Sequence, residues 1–159
     1  MNRRTLASAI GGVLLLASST LLAADKPNFT GEWKLNIDKS TFGPMPPPTS
    51  QTMKIEHADP NVVAITEQDG ADGKTTITVK YKTDGTETAN EIRGQQAKST
   101  GKWDGDSLTV TTKLDFQGME IILNNAMKLS TDGKTMNAAT KIVTPQGEFE
   151  TAYLYEKVK

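Results

Sequence analysis

Alternation with a period of two dominates this chain. Phe29, Gly31, Trp33, Leu35 and Ile37 fall on one side of an extended segment, and Thr30, Glu32, Lys34 and Asn36 fall on the other, the pattern of a half-buried β-strand. Leu108, Val110, Thr112, Leu114 and Phe116 alternate in the same way with Thr109, Thr111, Lys113 and Asp115, so this run too predicts an inner and an outer face. In the next run Met119, Ile121, Leu123, Asn125, Met127 and Leu129 share a side. Asn125 interrupts that apolar series. If the side points inward, an amide is buried and must find a partner or water. Thr66, Thr88, Asn90, Ser99 and Thr140 either belong to the inward sets as well or sit out of phase at strand ends. A mixed interior of this kind suits a hydrated cavity.

Between the alternating runs stand Asp59-Pro60-Asn61, Asp69-Gly70 with Asp72-Gly73, Asp84-Gly85, Asp104-Gly105-Asp106, Gln117-Gly118, Asp132-Gly133 and Pro145-Gln146-Gly147. Asp-Gly supplies the positive φ values that tight hairpin turns require, and the segments between are rich in Thr, Val, Ile and Tyr. About eight to ten strands joined by sequential hairpins predict an all-β, up-and-down antiparallel barrel in a single domain, because closure removes exposed sheet edges. One connection breaks the rhythm. Residues 38–50 hold Phe42, Gly43 and the run Pro44-Met45-Pro46-Pro47-Pro48. Proline lacks a donor and fixes φ, so this stretch is expected to be a stiff link that crosses the barrel end or lies along its rim.

The first residues follow a different logic. Arg3 and Arg4 precede an apolar run from Leu6 to Ala24, and polar Asp25-Lys26-Pro27 follows. A basic start, an apolar core and a small-residue end predict a cleaved signal peptide over 1–24, with a barrel domain over 25–159. A retained anchor is the competing possibility, but Ile10 to Leu16 is short and glycine-interrupted against ~30 Å of hydrocarbon. The mature chain is therefore expected to lack an integral membrane span and to reside in the periplasm or outside the cell. Removing Arg3 and Arg4 from 18 basic and 19 acidic residues leaves 16 against 19, a net charge of −3. Nucleic acid is an improbable partner at that balance. Cysteine is absent, which excludes disulfides, thiolate metal sites and a cysteine nucleophile.

Both ends of the mature chain carry a resemblance. The segment Phe29-Thr30-Gly31-Glu32-Trp33-Lys34-Leu35-Asn36 resembles the first strand of the lipocalin and fatty-acid-binding-protein (calycin) superfamily, which carries Gly-x-Trp, extended in the fatty-acid-binding branch to Trp-Lys-Leu. Thr151-Ala152-Tyr153-Leu154-Tyr155-Glu156-Lys157-Val158 is similar to the closing strand of fatty-acid-binding proteins, which commonly ends in Tyr-Glu-Lys. The chain also resembles uncharacterised exported lipocalin-like proteins of environmental bacteria, with Lys39-Ser40, Trp103-Asp104-Gly105-Asp106 and Leu129-Ser130-Thr131-Asp132-Gly133-Lys134 as landmarks. Two departures matter. The proline-rich run replaces the helical pair of fatty-acid-binding proteins, and Tyr153 stands where their carboxylate-gripping arginine is expected. The resemblance thus implies a binding barrel with an uncharged Tyr153 and Tyr155 pair at that position.

Candidate chemistry is sparse. His57 is the only histidine, and one histidine without a partnered carboxylate motif makes a poor metal site. No Gly-x-Ser-x-Gly elbow is present. Glu67, Asp69 and Asp72 cluster without calcium-loop spacing, as a solvated turn does. No enzyme activity, metal or cofactor is expected. The favoured function is an exported protein holding a small apolar or amphipathic molecule in its interior, with Phe116 among the apolar contacts. Asn125, Tyr153, Tyr155 and Arg93, the one arginine beyond the leader, are candidates to orient a polar end. The alternative is a packed barrel serving as an envelope structural or protein-interaction module.

Overall fold

A computed structural model describes residues 25–71 and 73–158; the expected leader at 1–24 lies outside the described residues. Ten strands form one antiparallel sheet: β1 Gly31–Thr41, β2 Ser50–Ala58, β3 Asn61–Gly70, β4 Gly73–Lys82, β5 Thr88–Ile92, β6 Gln95–Asp104, β7 Ser107–Phe116, β8 Met119–Leu129, β9 Thr135–Thr144 and β10 Gly147–Lys157. The strand order is β4-β3-β2-β1-β10-β9-β8-β7-β6-β5. Every neighbour but one pair is a sequence neighbour, and the exception, β1 with β10, joins the two ends of the chain. Leu35 opposes Tyr155 there. The up-and-down barrel expected from alternation is the observed fold.

The sheet curls until β4 faces β5, which share no continuous ladder. This seam is closed by other means. The Asn90 side chain behaves as a surrogate strand: the Lys80 amide donates to Asn90 Oδ1 and Asn90 Nδ2 donates to the Lys80 carbonyl, each at 2.8 Å. Below that latch, β6 swings against β4. A side chain at Gly101 would place its Cβ 2.8 Å from the Lys82 carbonyl oxygen and 3.1 Å from the Tyr81 ring, so the close approach requires glycine. The Gly85 amide donates to the Gly101 carbonyl at 2.9 Å, completing closure at this end.

One end of the barrel is plugged. Phe29, Trp33, Leu108 and Met136 are fully buried there, with Ile55 and Val62 nearly so. Phe29 sits before β1 and stacks on His57 and Trp103, ring centroids 6.1 and 6.0 Å away. Its carbonyl accepts the Trp33 indole N–H at 3.0 Å, so the largest buried side chain keeps its one donor satisfied. At the opposite end the inward series loosens. Leu108, Val110 and Thr112 of β7 are buried, Leu114 is half-buried and Phe116 is 40% exposed. That gradient defines a floor and a mouth.

The proline-rich link crosses the mouth side. Phe42 packs on Tyr153 with centroids 5.2 Å apart, Pro48 is buried, and the Thr49 amide donates to the Asp69 carbonyl at 2.8 Å. Asp69 and Gly70 are strand residues and not a turn: they pair with Lys74 and Gly73. A turn absent from the expected set occupies Arg93 and Gly94, where φ is 51° and 77°. Positive φ at two successive residues is the geometry of a type I′ hairpin, and asparagine or aspartate is its usual first residue.

Candidate functional site

The inner face of the barrel alternates as the sequence does, but its polar members fall into two groups. In the first, hydrogen bonds are complete. Thr112 and Ser99 hydroxyls are 2.8 Å apart, and Asn90 Nδ2 donates to Ser99 Oγ at 3.1 Å. A polar chain thus runs from the interior wall to the β4/β5 latch. Gln51 Nε2 donates to the Tyr155 hydroxyl, and Phe29 N–H donates to His57 Nδ1 at 3.3 Å, leaving His57 Nε2 to donate to Asp59 at 3.3 Å. These groups hold the barrel together.

In the second group, partners are missing. The Tyr81 hydroxyl, Asn125 Oδ1, Thr88 Oγ1 and Trp103 Nε1 are buried and make no hydrogen bond to another protein group; of these, Tyr81 and Asn125 come together. Both residues line the same interior cavity of ≈180 Å³, with Met53, Ala64, Val79, Val110, Leu123 and Met127 as its apolar wall and Thr66, Thr112 and Thr140 as further polar members. The register explains the grouping, because Val110, Asn125 and Thr140 stand opposite one another on β7, β8 and β9. Tyr81 reaches the cavity from β4, its ring against Gly101. Burial raises the Tyr81 phenol well above its ordinary range, so it stays a neutral donor and acceptor. A buried polar group without a partner costs about 1–3 kcal/mol, so a polar atom placed in this cavity would find two unsatisfied groups to bond.

Above the cavity, half-buried Leu114, Ile121, Ile142 and Phe149 carry the apolar face toward the mouth. Larger grooves lie on the outer surface, such as one of ≈410 Å³ lined by Glu87, Lys98, Lys113, Asp115 and Glu120. That groove is charged and open, and Lys98 and Glu87 already pair across it at 2.8 Å. Of these two spaces the interior cavity is the more enclosed and the more apolar in its lining, as small-molecule sites commonly are.

The residues expected to touch a ligand are dispersed by the fold. Asn125 lines the cavity. Phe116 stands at the mouth, where it pairs in register with Met119. Tyr153 is half-buried between Phe42 and Tyr155, and burial raises its phenol. Tyr155 is buried and engaged with Gln51, and burial first, then the neighbouring Tyr153, raises its phenol too. Arg93 is exposed on the β5–β6 turn. Tyr81 was missed by sequence reasoning, although Ile77, Val79 and Tyr81 alternate along β4 and would have placed it inward. Among the described residues, no group of three or more His, Cys, Asp or Glu side chains is placed to hold a metal.

Comparison with solved structures finds the same architecture at low sequence identity. A secretory abundant heat soluble (SAHS) protein of Ramazzottius varieornatus is 14% identical with a TM-score of 0.58, over 80% of this chain and 93% of that one. The zebrafish ileal bile acid-binding protein, solved with cholic acid, is 16% identical with a TM-score of 0.55, over 82% of this chain and 98% of its own. Human cRBP IV is 15% identical with a TM-score of 0.53, over 83% and 99%. No family model and no curated protein sequence matches. The likeness is one of fold: this chain and these proteins share an antiparallel β-barrel architecture.

Proposed function

We propose that this chain is an exported binding protein that carries a small apolar or amphipathic molecule inside its barrel, in the periplasm or outside the cell. The observation that carries the proposal is the ≈180 Å³ interior cavity with two unpartnered polar atoms among its lining residues. A ligand site needs a few polar groups in an apolar wall, and a polar ligand atom would satisfy the Tyr81 and Asn125 atoms that the protein itself leaves unpaired. A fold neighbour solved with cholic acid supports the same reading. Asn125 provides a polar contact and Phe116 borders the ligand at the mouth. Export rests on the basic and apolar character of residues 1–24.

The test is to express the full chain in a bacterial host, separate periplasm and medium from cytoplasm, and purify the processed protein without denaturant. Native mass spectrometry is then compared with the denatured intact mass. A protein shortened by its leader and carrying one releasable small molecule is the expected result. A full-length cytoplasmic protein would overturn export, and an apo mass from several hosts would turn the assignment toward a packed structural module.

A further inference from the structure

The cavity also discriminates by charge. Among the described residues that line it, none is a lysine, arginine, histidine, aspartate or glutamate. The one arginine of residues 25–159 is exposed at the β5–β6 turn, and the one histidine is committed to Phe29 and Asp59 at the floor. An ionised headgroup moved into this space would shed its hydration and meet no opposite charge. Such a transfer costs more than one or two neutral hydrogen bonds return. Tyr81 and Asn125 can each donate and accept, so together they satisfy a neutral group that does both.

Resting on the binding function proposed above, we infer that the ligand is an uncharged amphiphile, held deep in the barrel by a hydroxyl or amide end that hydrogen-bonds Tyr81 and Asn125. The size of the space sets its orientation. An enclosed apolar cavity of about 150 Å³ accommodates a benzene ring, so ≈180 Å³ takes the polar end and the first few carbons. The rest of the chain lies along Leu114, Ile121, Ile142 and Phe149, which stand on the same face toward the mouth.

Calorimetric titration of the purified, delipidated protein with 1-decanol and with decanoate tests this at neutral pH, where decanoate is ionised. The two share a chain length and differ at the head. Decanol is expected to bind at least about tenfold more tightly, because the charged head forfeits hydration. Tyr81→Phe and Asn125→Leu should each weaken decanol about three- to tenfold, the loss of one hydrogen bond, with circular dichroism showing the fold intact in at least one variant. Decanoate binding as well as decanol would overturn the uncharged class while leaving the binding function standing. Decanol affinity unchanged in both variants would overturn the assigned contacts. Failure of both ligands to bind the unaltered protein would instead overturn the binding function itself.

Discussion

At the scale of single residues, polar atoms near the floor are set by their donors. The Asp59 carboxylate is held below its ordinary value chiefly by the Thr83 hydroxyl, and secondarily by His57. A carboxylate depressed in the folded state adds stability that is present above its unfolded value and lost as pH falls through the folded one. The relevant window therefore lies below the ordinary aspartate value of 3.8. Thr83→Val is predicted to move the Asp59 carboxyl titration upward toward that value, read by carbon-detected NMR of the folded protein. An unchanged midpoint would show that the hydroxyl is not its main donor. Because Asp59 is largely exposed, with 63% of its side chain accessible, the accompanying change in stability is small.

At the scale of elements, the seam between β4 and β5 is the weakest line in the wall. Two bonds from one side chain, Asn90 to both backbone groups of Lys80, replace a ladder. Asn90→Ala is predicted to destabilise the protein by about 1–2 kcal/mol and to abolish exchange protection of the Lys80 amide while amides of β8 and β9 keep theirs. Equal protection at Lys80 would contradict the latch. Strand existence was legible at this scale because each run buries one face, and Trp33, Leu108 and Met127 could not have faced water. The Arg93-Gly94 turn was not, because arginine is not a usual residue for positive φ and only pairing in register forces it there. The latch was equally hidden. Asn90 reads as one more inward polar residue until the curvature of ten strands brings Lys80 beside it.

At the scale of the molecule, closure decides which polar residues matter. All three tyrosines of the chain, Tyr81, Tyr153 and Tyr155, are raised by burial above the ordinary phenol value of 10.0. A group whose folded pKa is raised stabilises the fold below its unfolded value and ceases to do so as pH climbs through the folded one. Alkaline unfolding is therefore predicted above about 10, with tyrosinate absorbance rising together with loss of β-sheet signal. A rise at the ordinary value with the sheet intact would show the phenols to be accessible. The barrel and its mixed interior could be read from alternation and Asp-Gly turns, yet the site could not. Asn125 was visible as an amide in an apolar series, whereas its companion Tyr81 lies 44 residues earlier on β4 and joins the cavity only through closure.

If the barrel carries a ligand, the ligand sits in the space among Tyr81, Asn125 and Leu123. A high-resolution crystal structure of the protein purified without denaturant or organic extraction tests this most directly. Continuous density in that cavity, with a polar end within hydrogen-bond distance of the Tyr81 hydroxyl and the Asn125 amide and an apolar stretch running toward Phe149, is the predicted result. A molecule seated on the outer surface, or ordered water alone filling the cavity, would contradict it.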